Sequence, residues 1–233
     1  MVIERIRDNI REIWRSPSYR RFLRERFFGR FGYDSEQWAR IVYCREWREY
    51  LDSLPLKSAN VLEISPGGRP VIDADRVASY RTVDFPEFDL CRDYLDEKFD
   101  VIIAEQVFEH LRHPYRAARN VSKMLADDGI FFIATPFLLR VHGVPYDYTR
   151  WTPDGLRGFL EDCGFSSDVH SWGNRKAVKA NFTDWREFGW GRDLRNEAKF
   201  PVCVWAYARK SPVSDLRSGG SVSCKAEASA EGA

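Results

Sequence analysis

The sequence predicts an α/β fold: an open, doubly wound and mostly parallel sheet, preceded by a group of helices. From residue 60 onward, short apolar runs alternate with helical segments, which is the pattern of βαβ units. The first run ends in Ser65-Pro66-Gly67-Gly68, and a glycine turn after a buried strand lets backbone N–H groups approach a ligand. The next two runs end at Asp84 and Glu105. Polar residues at three strand ends predict a ligand crevice along one edge of the sheet.

The composition favours a soluble protein with no nucleic-acid partner. The chain has 233 residues, a formal net charge of +1 and a pI near 7.6, so no overall field attracts polyanions. No apolar run reaches the roughly 18 residues of a membrane span, and the charged amino terminus does not resemble a signal peptide. The five cysteines are scattered, as expected for reduced thiols. We therefore expect a cytoplasmic protein, with its oligomeric state left open.

Residues 1–57 are predicted to form an N-terminal helical cap. Their apolar positions recur three and four residues apart, and breaks at 16–18 and 29–32 divide the segment into three helices. The third helix is expected over about residues 35–54. Two interpretations stay open. The arginine-rich surface is either a solvated helical face whose long stems lie on apolar surface, or a lid over the crevice that helps to bind an anionic or hydroxyl-rich acceptor.

Short apolar runs bounded by turn residues predict the strands. They are expected at residues 61–64, 80–84, 99–104, 130–135, 169–172 and 202–208. The segment between Asp84 and Phe99 is short, so a further strand there would be abbreviated. Asp127-Asp128-Gly129 predicts the turn that leads into the strand at 130–135.

Two helices are predicted between these strands. Apolar positions at helical spacing indicate the first, over residues 115–125. The second opens at Thr152, a favoured N-cap residue, followed by Pro153 at the first helical position, and it ends before Gly164. Residues 211–233 are rich in Ser, Gly and Ala and are expected to be a disordered tail.

Four sequence blocks carry a family resemblance. They are 61–68 (Val-Leu-Glu-Ile-Ser-Pro-Gly-Gly), Val83-Asp84, 99–111 with its Glu-His-Leu turn, and 125–136 with Asp-Gly before an apolar strand and a final Pro. Over residues 58–210 the chain resembles the class I S-adenosylmethionine-dependent methyltransferases. The resemblance implies a Rossmann-like sheet of seven strands, mostly parallel with the last antiparallel. Ser65 and Arg69 stand where the family usually has glycine.

S-adenosyl-L-methionine is the cofactor that the resemblance implies. The backbone of Ser65, Pro66, Gly67 and Gly68 would hold its methionine end, with Glu63 just beneath. Asp84 would take the ribose hydroxyls, beside Phe85. Asp89 and Leu90 are candidates for the adenine edge, with a solvated loop as the other interpretation. Ala104 and Glu105 would lie beside the sulfonium, where a carboxylate suits a cation, and His110 would hold the adjoining turn.

The loop after the strand at 130–135 carries the candidate catalytic groups. An alcohol needs a general base before it attacks a methyl carbon, and His142 is the histidine expected to face the crevice. A loop histidine bonded to backbone is the alternative. Tyr146 and Asp147 are predicted to assist it, while Tyr148, Arg150 and Trp151 would bind the acceptor. No carboxylate cluster has convincing ligand spacing, so no metal ligand is assigned. Mg²⁺, which some sugar O-methyltransferases bind, is an option without support in the sequence.

The predicted acceptor is a saccharide or another small hydroxyl compound. Ala104-Glu-Gln-Val stands where enzymes that methylate nucleic-acid bases usually carry Asn/Asp-Pro-Pro-Tyr, which argues against base methylation. Abundant Trp and Tyr outside the core suit stacking on a sugar, although such residues also pack helical caps. A small-molecule methyltransferase of secondary metabolism stays open, as does a noncatalytic methyltransferase-like binding protein, which the altered glycine motif would explain. The absence of G-x-G-x-x-G disfavours a dinucleotide oxidoreductase.

Overall fold

The structure is a computed structural model that describes residues 38–66, 71–143, 145–183 and 194–212. The strands in these ranges are β1 Asn60–Ile64, β2 Ser79–Val83, β3 Phe99–Glu105, β4 Leu125–Pro136, β5 Phe165–Trp172 and β6 Cys203–Lys210. The helices are α1 Trp38–Asp52, α2 Pro114–Met124, α3 Pro153–Asp162 and α4 Arg175–Thr183. The strands form one sheet in the order β2-β1-β3-β4-β6-β5.

The sheet is mostly parallel, as predicted. Strands β2, β1, β3 and β4 pair in parallel, and β6 is antiparallel to both β4 and β5. The last strand is therefore the reversed one, in agreement with the class I arrangement.

The prediction of seven strands is not confirmed in the part of the chain described, where six are found. Residues 84–98, the expected position of the abbreviated strand, form turns. Asp89 Oδ1 accepts a hydrogen bond from the Cys91 amide at 3.0 Å, and Asp93 Oδ2 accepts one from the Asp89 amide at 2.8 Å. These local side-chain bonds satisfy backbone groups that a strand would use in its ladder.

Two apolar clusters lie on the two faces of the sheet. Helices α2 and α3 cover one face, and α1 covers the other. Tyr43, Trp47 and Leu51 follow one another at four-residue spacing, which places them on one side of α1, and all three are buried. Helix α1, predicted as part of the cap, thus contributes three side chains to the core of that face. The two helices predicted before it lie outside the described residues.

Several element boundaries differ from the prediction. Strand β4 begins at Leu125 rather than 130, because Phe99 pairs with Leu125 while Val101 pairs with Ile130, and residues 126–129 fall in the register shift. Helix α3 begins as predicted, with Thr152 Oγ1 accepting from the Gly155 amide at 3.0 Å. Helix α4 was not predicted.

Two further expectations concern the membrane and the tail. The described part of the chain contains no helix with the length and apolarity to cross a bilayer. Most of the tail expected to be disordered, residues 213–233, lies outside the described ranges.

Trp47→Ala tests the role of α1 in the core. Trp47 is fully buried, so we expect its truncation to lower the free energy of unfolding by about 3–5 kcal/mol in urea titrations. Arg48→Ala, at an exposed position of the same helix, is the control and should change it by less than about 0.5 kcal/mol. Equal losses for the two variants would contradict the core assignment.

Candidate active site

Two residues at neighbouring strand ends have a left-handed backbone. Ser65, after β1, has a φ of 50°, and Gln106, after β3, has a φ of 54°. Such conformations are uncommon outside glycine and concentrate at functional sites. The Ser65 amide donates to Val83 O at 2.8 Å, and the Gln106 amide donates to Ala134 O at 2.9 Å, which fixes both turns to the next strand.

The strand order of the sheet changes direction at β1, which is its topological switch point. From β1 the sheet extends to β2 on one side and to β3 on the other. Open α/β sheets bind ligands in the crevice outside the carboxyl ends of the strands at such a switch point. The backbone conformations and the topology therefore indicate the same crevice.

Glu63 ties together the two ends of the loop that follows β1. Its carboxylate is buried and accepts hydrogen bonds from the Val71 amide at 3.0 Å and from the Tyr80 hydroxyl at 2.6 Å. Burial raises the pKa of Glu63 above its usual range, against the opposing effect of these hydrogen bonds. Residues 67–70, which include Gly67 and Gly68, lie outside the described ranges, so the expected contact of these glycines with the cofactor stays a prediction.

Asp84 and Phe85, directly after β2, are available to a ligand. Asp84 is exposed, and the Phe85 ring is 61% exposed although it is apolar. A carboxylate suits vicinal ribose hydroxyls, and a bare aromatic ring suits the face of an adenine. The residues at the carboxyl end of β2 therefore fit S-adenosylmethionine.

Asp89 and Leu90 are engaged within the protein. Besides its bond to the Cys91 amide, Asp89 pairs with Arg92 Nε at 3.0 Å. Leu90 is buried, and its carbonyl accepts from Asn120 Nδ2 at 3.0 Å. Their expected contact with the adenine edge stays a prediction without support from these positions.

Helix α1 contributes two side chains to the crevice that were not predicted. Tyr43 Oη donates to Glu105 Oε1 at 2.7 Å, and Arg40 forms an ion pair with Glu105 Oε2. Glu105, expected beside the sulfonium, therefore has its negative charge balanced within the protein. Its neighbour Ala104 is completely buried in β3. No local motif signals these contacts, because they join α1 to a strand end more than sixty residues later.

A second group of side chains joins the loops after β3 and β4. The Glu109 carboxylate is 0% exposed, and in the described part of the chain neither oxygen has a hydrogen-bond partner. Its Oε1 atom lies 3.6 Å from His110 Nε2 and 3.8 Å from His142 Nε2. Burial raises the pKa of Glu109 to about 8. One ligand atom from each of the three residues lies within 4.8 Å of the others, a spacing that could hold a metal ion.

No metal ligand was assigned from the sequence, where no carboxylate cluster has ligand spacing; this cluster instead combines one carboxylate with two histidines. Glu109 was not singled out, although it stands in the Glu-His-Leu turn. The sequence does not reveal this cluster, because His142 lies more than thirty residues after Glu109 and reaches it only in the folded chain.

Asp147 and Arg150 hold His142 in place. Asp147 Oδ2 accepts from the His142 amide at 2.8 Å and lies 3.3 Å from His142 Nδ1, while Arg150 donates to both Asp147 oxygens. Burial lowers the pKa of His142, so the imidazole is neutral at pH 7. Burial opposes ionisation of Asp147, but the bonds from Arg150 and the His142 amide hold its pKa below the usual value.

The tyrosines and the tryptophan of this loop differ in exposure. Tyr146 and Tyr148 are 59% and 47% exposed, with ring centroids 5.6 Å apart. Trp151, expected to contact the acceptor, is buried against Phe159, with ring centroids 5.2 Å apart. The two tyrosines form an exposed aromatic pair beside the histidines, whereas Trp151 belongs to the core.

Comparisons with known proteins agree with this geometry. The family described as a methyltransferase domain matches residues 36–187. The search of curated proteins returns no match.

Solved structures resemble the chain at low identity. The CurJ carbon methyltransferase is 15% identical, with a TM-score of 0.50 over 76% of this chain and 54% of that chain. An S-adenosylmethionine-dependent methyltransferase from Clostridium acetobutylicum is 9% identical, with a TM-score of 0.49 over 84% of this chain and 100% of that chain. Another from Mesorhizobium loti is 13% identical, with a TM-score of 0.47 over 71% and 97%. At these identities the likeness concerns the fold alone.

The family match and the strand order together settle the class. The matched span covers well over half of the sequence and includes β1, the crevice and the loops after β3 and β4. S-adenosyl-L-methionine is accordingly the cofactor, and the accessible residues after β2 fit it. The chain belongs to the methyltransferase-domain family and is a class I S-adenosylmethionine-dependent methyltransferase.

Proposed function

We propose that this enzyme transfers the methyl group to a hydroxyl of a saccharide. The observation that carries the proposal is the exposed Tyr146–Tyr148 pair on the loop that also carries His142, whose ring contacts that of His110. Flat aromatic surface suits the apolar face of a sugar ring, and imidazole nitrogens beside it suit a hydroxyl. Both pairs lie on loops that follow the carboxyl ends of β3 and β4, the edge that contains the cofactor crevice.

The reaction that we propose is an in-line displacement. The cofactor supplies a methyl carbon bonded to a positively charged sulfur. The protein must hold the acceptor oxygen against that carbon and let the hydroxyl proton leave, and correct positioning accounts for much of the acceleration. We assign the positioning of the acceptor to the Nε2 side of His110 and His142. Asp147 and Arg150 act through His142 and fix its ring.

The sequence around the tyrosines agrees with a saccharide acceptor. The run from Pro145 to Pro153 is similar to one in methyltransferases of bacterial surface glycans and polysaccharides. A narrower resemblance is to the sugar 1-O-methyltransferase of mycobacterial methylmannose polysaccharide synthesis, which fits the arginine-rich composition. We propose polysaccharide biosynthesis in the cytoplasm as the setting.

A panel of acceptors tests the proposed function directly. We expect homocysteine release, in a coupled assay, with monosaccharides or oligosaccharides and none with nucleosides. Turnover with small phenols but not with saccharides would instead assign the enzyme to small-molecule methylation. Binding of S-adenosylhomocysteine without turnover on any acceptor would indicate a noncatalytic binding protein.

Asp84→Asn tests the ribose contact. Hydrogen bonds to a charged group contribute about 1.5–3 kcal/mol, so we expect S-adenosylhomocysteine to bind roughly 10–100-fold more weakly in calorimetry. The matched control is Asp96→Asn, at an exposed position of the following segment, which should bind like the unmodified protein. Unchanged affinity in Asp84→Asn would show that the ribose is held elsewhere.

Tyr148→Ala tests the aromatic pair. Loss of one stacking ring should raise the KM for a saccharide acceptor roughly 3–10-fold and leave the affinity for S-adenosylhomocysteine unchanged, since aromatic contacts contribute about 0.5–1.5 kcal/mol. Tyr94→Ala removes a ring of similar exposure from the segment after β2 and serves as the control. An unaltered KM in Tyr148→Ala would contradict sugar stacking at this position.

A further inference from the structure

The Glu109 carboxylate is a buried acid whose environment is incomplete. Burying an ionisable group without partners is costly, and in native proteins such groups are paired, hydrogen-bonded or bound to a metal. Within the described ranges both Glu109 oxygens lack a hydrogen-bond partner. The nearest side-chain nitrogens are those of two imidazoles, at 3.6 and 3.8 Å, beyond hydrogen-bond range.

The Nδ1 atom of each histidine contacts groups of the loop after β4. His110 Nδ1 contacts the Tyr146 carbonyl oxygen, which only accepts, so Nδ1 carries the proton and Nε2 has a lone pair. His142 Nδ1 lies 3.3 Å from Asp147 Oδ2. Arg150 Nη2 is equally close to this nitrogen, so binding of a metal at Nε2 requires the tautomer in which Nδ1 donates to Asp147 Oδ2.

With both Nδ1 atoms protonated, three electron-pair donors converge. Glu109 Oε1, His110 Nε2 and His142 Nε2 face one another, and each histidine is backed by an oxygen acceptor on its other nitrogen. Metal-binding histidines commonly have this second contact, which orients the ring and sets the tautomer.

We propose that Glu109, His110 and His142 bind one divalent transition-metal ion. Ligands about 2.1 Å from a shared ion are roughly 3.4 Å apart in tetrahedral geometry, so the Glu109–histidine distances need to close by only a few tenths of an ångström. Two imidazoles with one carboxylate favour Mn²⁺, Fe²⁺, Co²⁺ or Zn²⁺ over Mg²⁺, which prefers oxygen ligands.

The role of the ion rests on the proposed function. Three protein ligands leave coordination positions open, as in catalytic metal sites. The histidine side chains keep 19% and 12% of their surface exposed while Glu109 keeps none, so the open side faces away from Glu109. An acceptor hydroxyl there would have a lowered pKa and lose its proton to water. Its oxygen then bonds to the methyl carbon as the carbon–sulfur bond breaks and leaves its electron pair on sulfur.

Metal titration of the untagged, chelator-treated full chain tests the site. We expect calorimetry to give one Zn²⁺ or Mn²⁺ per chain and weaker binding of Mg²⁺. Glu109→Gln and His110→Ala should each weaken Zn²⁺ binding by more than the roughly 10–100-fold typical of outer contacts, and Asp147→Asn should weaken it within that range. His113→Ala, which removes an exposed histidine near the same turn, is the matched control.

Thermal unfolding guards against variants that fail to fold. Glu109→Gln removes a buried acid and should melt in the metal-free state no lower than the unmodified protein. Zn²⁺ should raise the Tm of the unmodified protein and of His113→Ala, because a ligand bound only to the native state stabilises it, but not that of Glu109→Gln. Equal Tm increases in Glu109→Gln and the unmodified protein would overturn the proposal, as would no metal uptake by the unmodified protein.

The two proposals fail separately. One Zn²⁺ or Mn²⁺ bound per chain, lost in Glu109→Gln, supports the metal site even if no saccharide is methylated. If the metal-free protein methylates a saccharide at the full rate in the presence of chelator, the proposed metal site is ruled out. The acceptor assignment would still stand. In either case S-adenosylhomocysteine binding should be unchanged in Glu109→Gln, which confirms that the crevice is intact.

Discussion

The loop after β4 is attached to the turn after β3 by backbone contacts, and the composition of the active site depends on this attachment. The Tyr148 amide donates to Glu109 O at 2.7 Å, and the Tyr146 carbonyl contacts His110 Nδ1. Both contacts use backbone atoms of the later loop, and within that loop the Asp147 side chain accepts the His142 amide. His142 and Asp147 reach Glu109 because of the path that these contacts give the loop, and the exposed tyrosine rings are left beside them.

Helix α1 serves stability and the site with the same residues. Tyr43 is fully buried against the sheet, yet its hydroxyl donates to Glu105 at the carboxyl end of β3. Arg40, one turn earlier, pairs with the other oxygen of Glu105. A helix that closes one face of the core therefore also fixes the charge at the crevice. Substitutions that disturb the packing of α1 would therefore affect both the stability of the protein and the position of Glu105.

Much of the fold could be predicted from the sequence, because its signals are local. Apolar runs with turn residues identified the strands, and Thr152 with Pro153 identified the start of α3. Helix α4 carried such a signal too, since Asn174 Oδ1 accepts from the Ala177 amide at 2.9 Å, but that N-cap was overlooked. The active site was harder to predict from the sequence. His142 and Asp147 were predicted because their side chains suit acid–base chemistry. Glu109 and Arg40 were not predicted, because the residues they contact lie in distant segments of the sequence.

The buried carboxylate of Glu63 bears on how the cofactor loop can diverge. It accepts hydrogen bonds from the main-chain amide of residue 71 and from the Tyr80 hydroxyl on β2, so the chain is tied to β1 directly after the loop. Because a main-chain amide makes the first of these bonds, it does not depend on which side chain residue 71 carries. Ser65 and Arg69, where the family usually has glycine, therefore leave this attachment available.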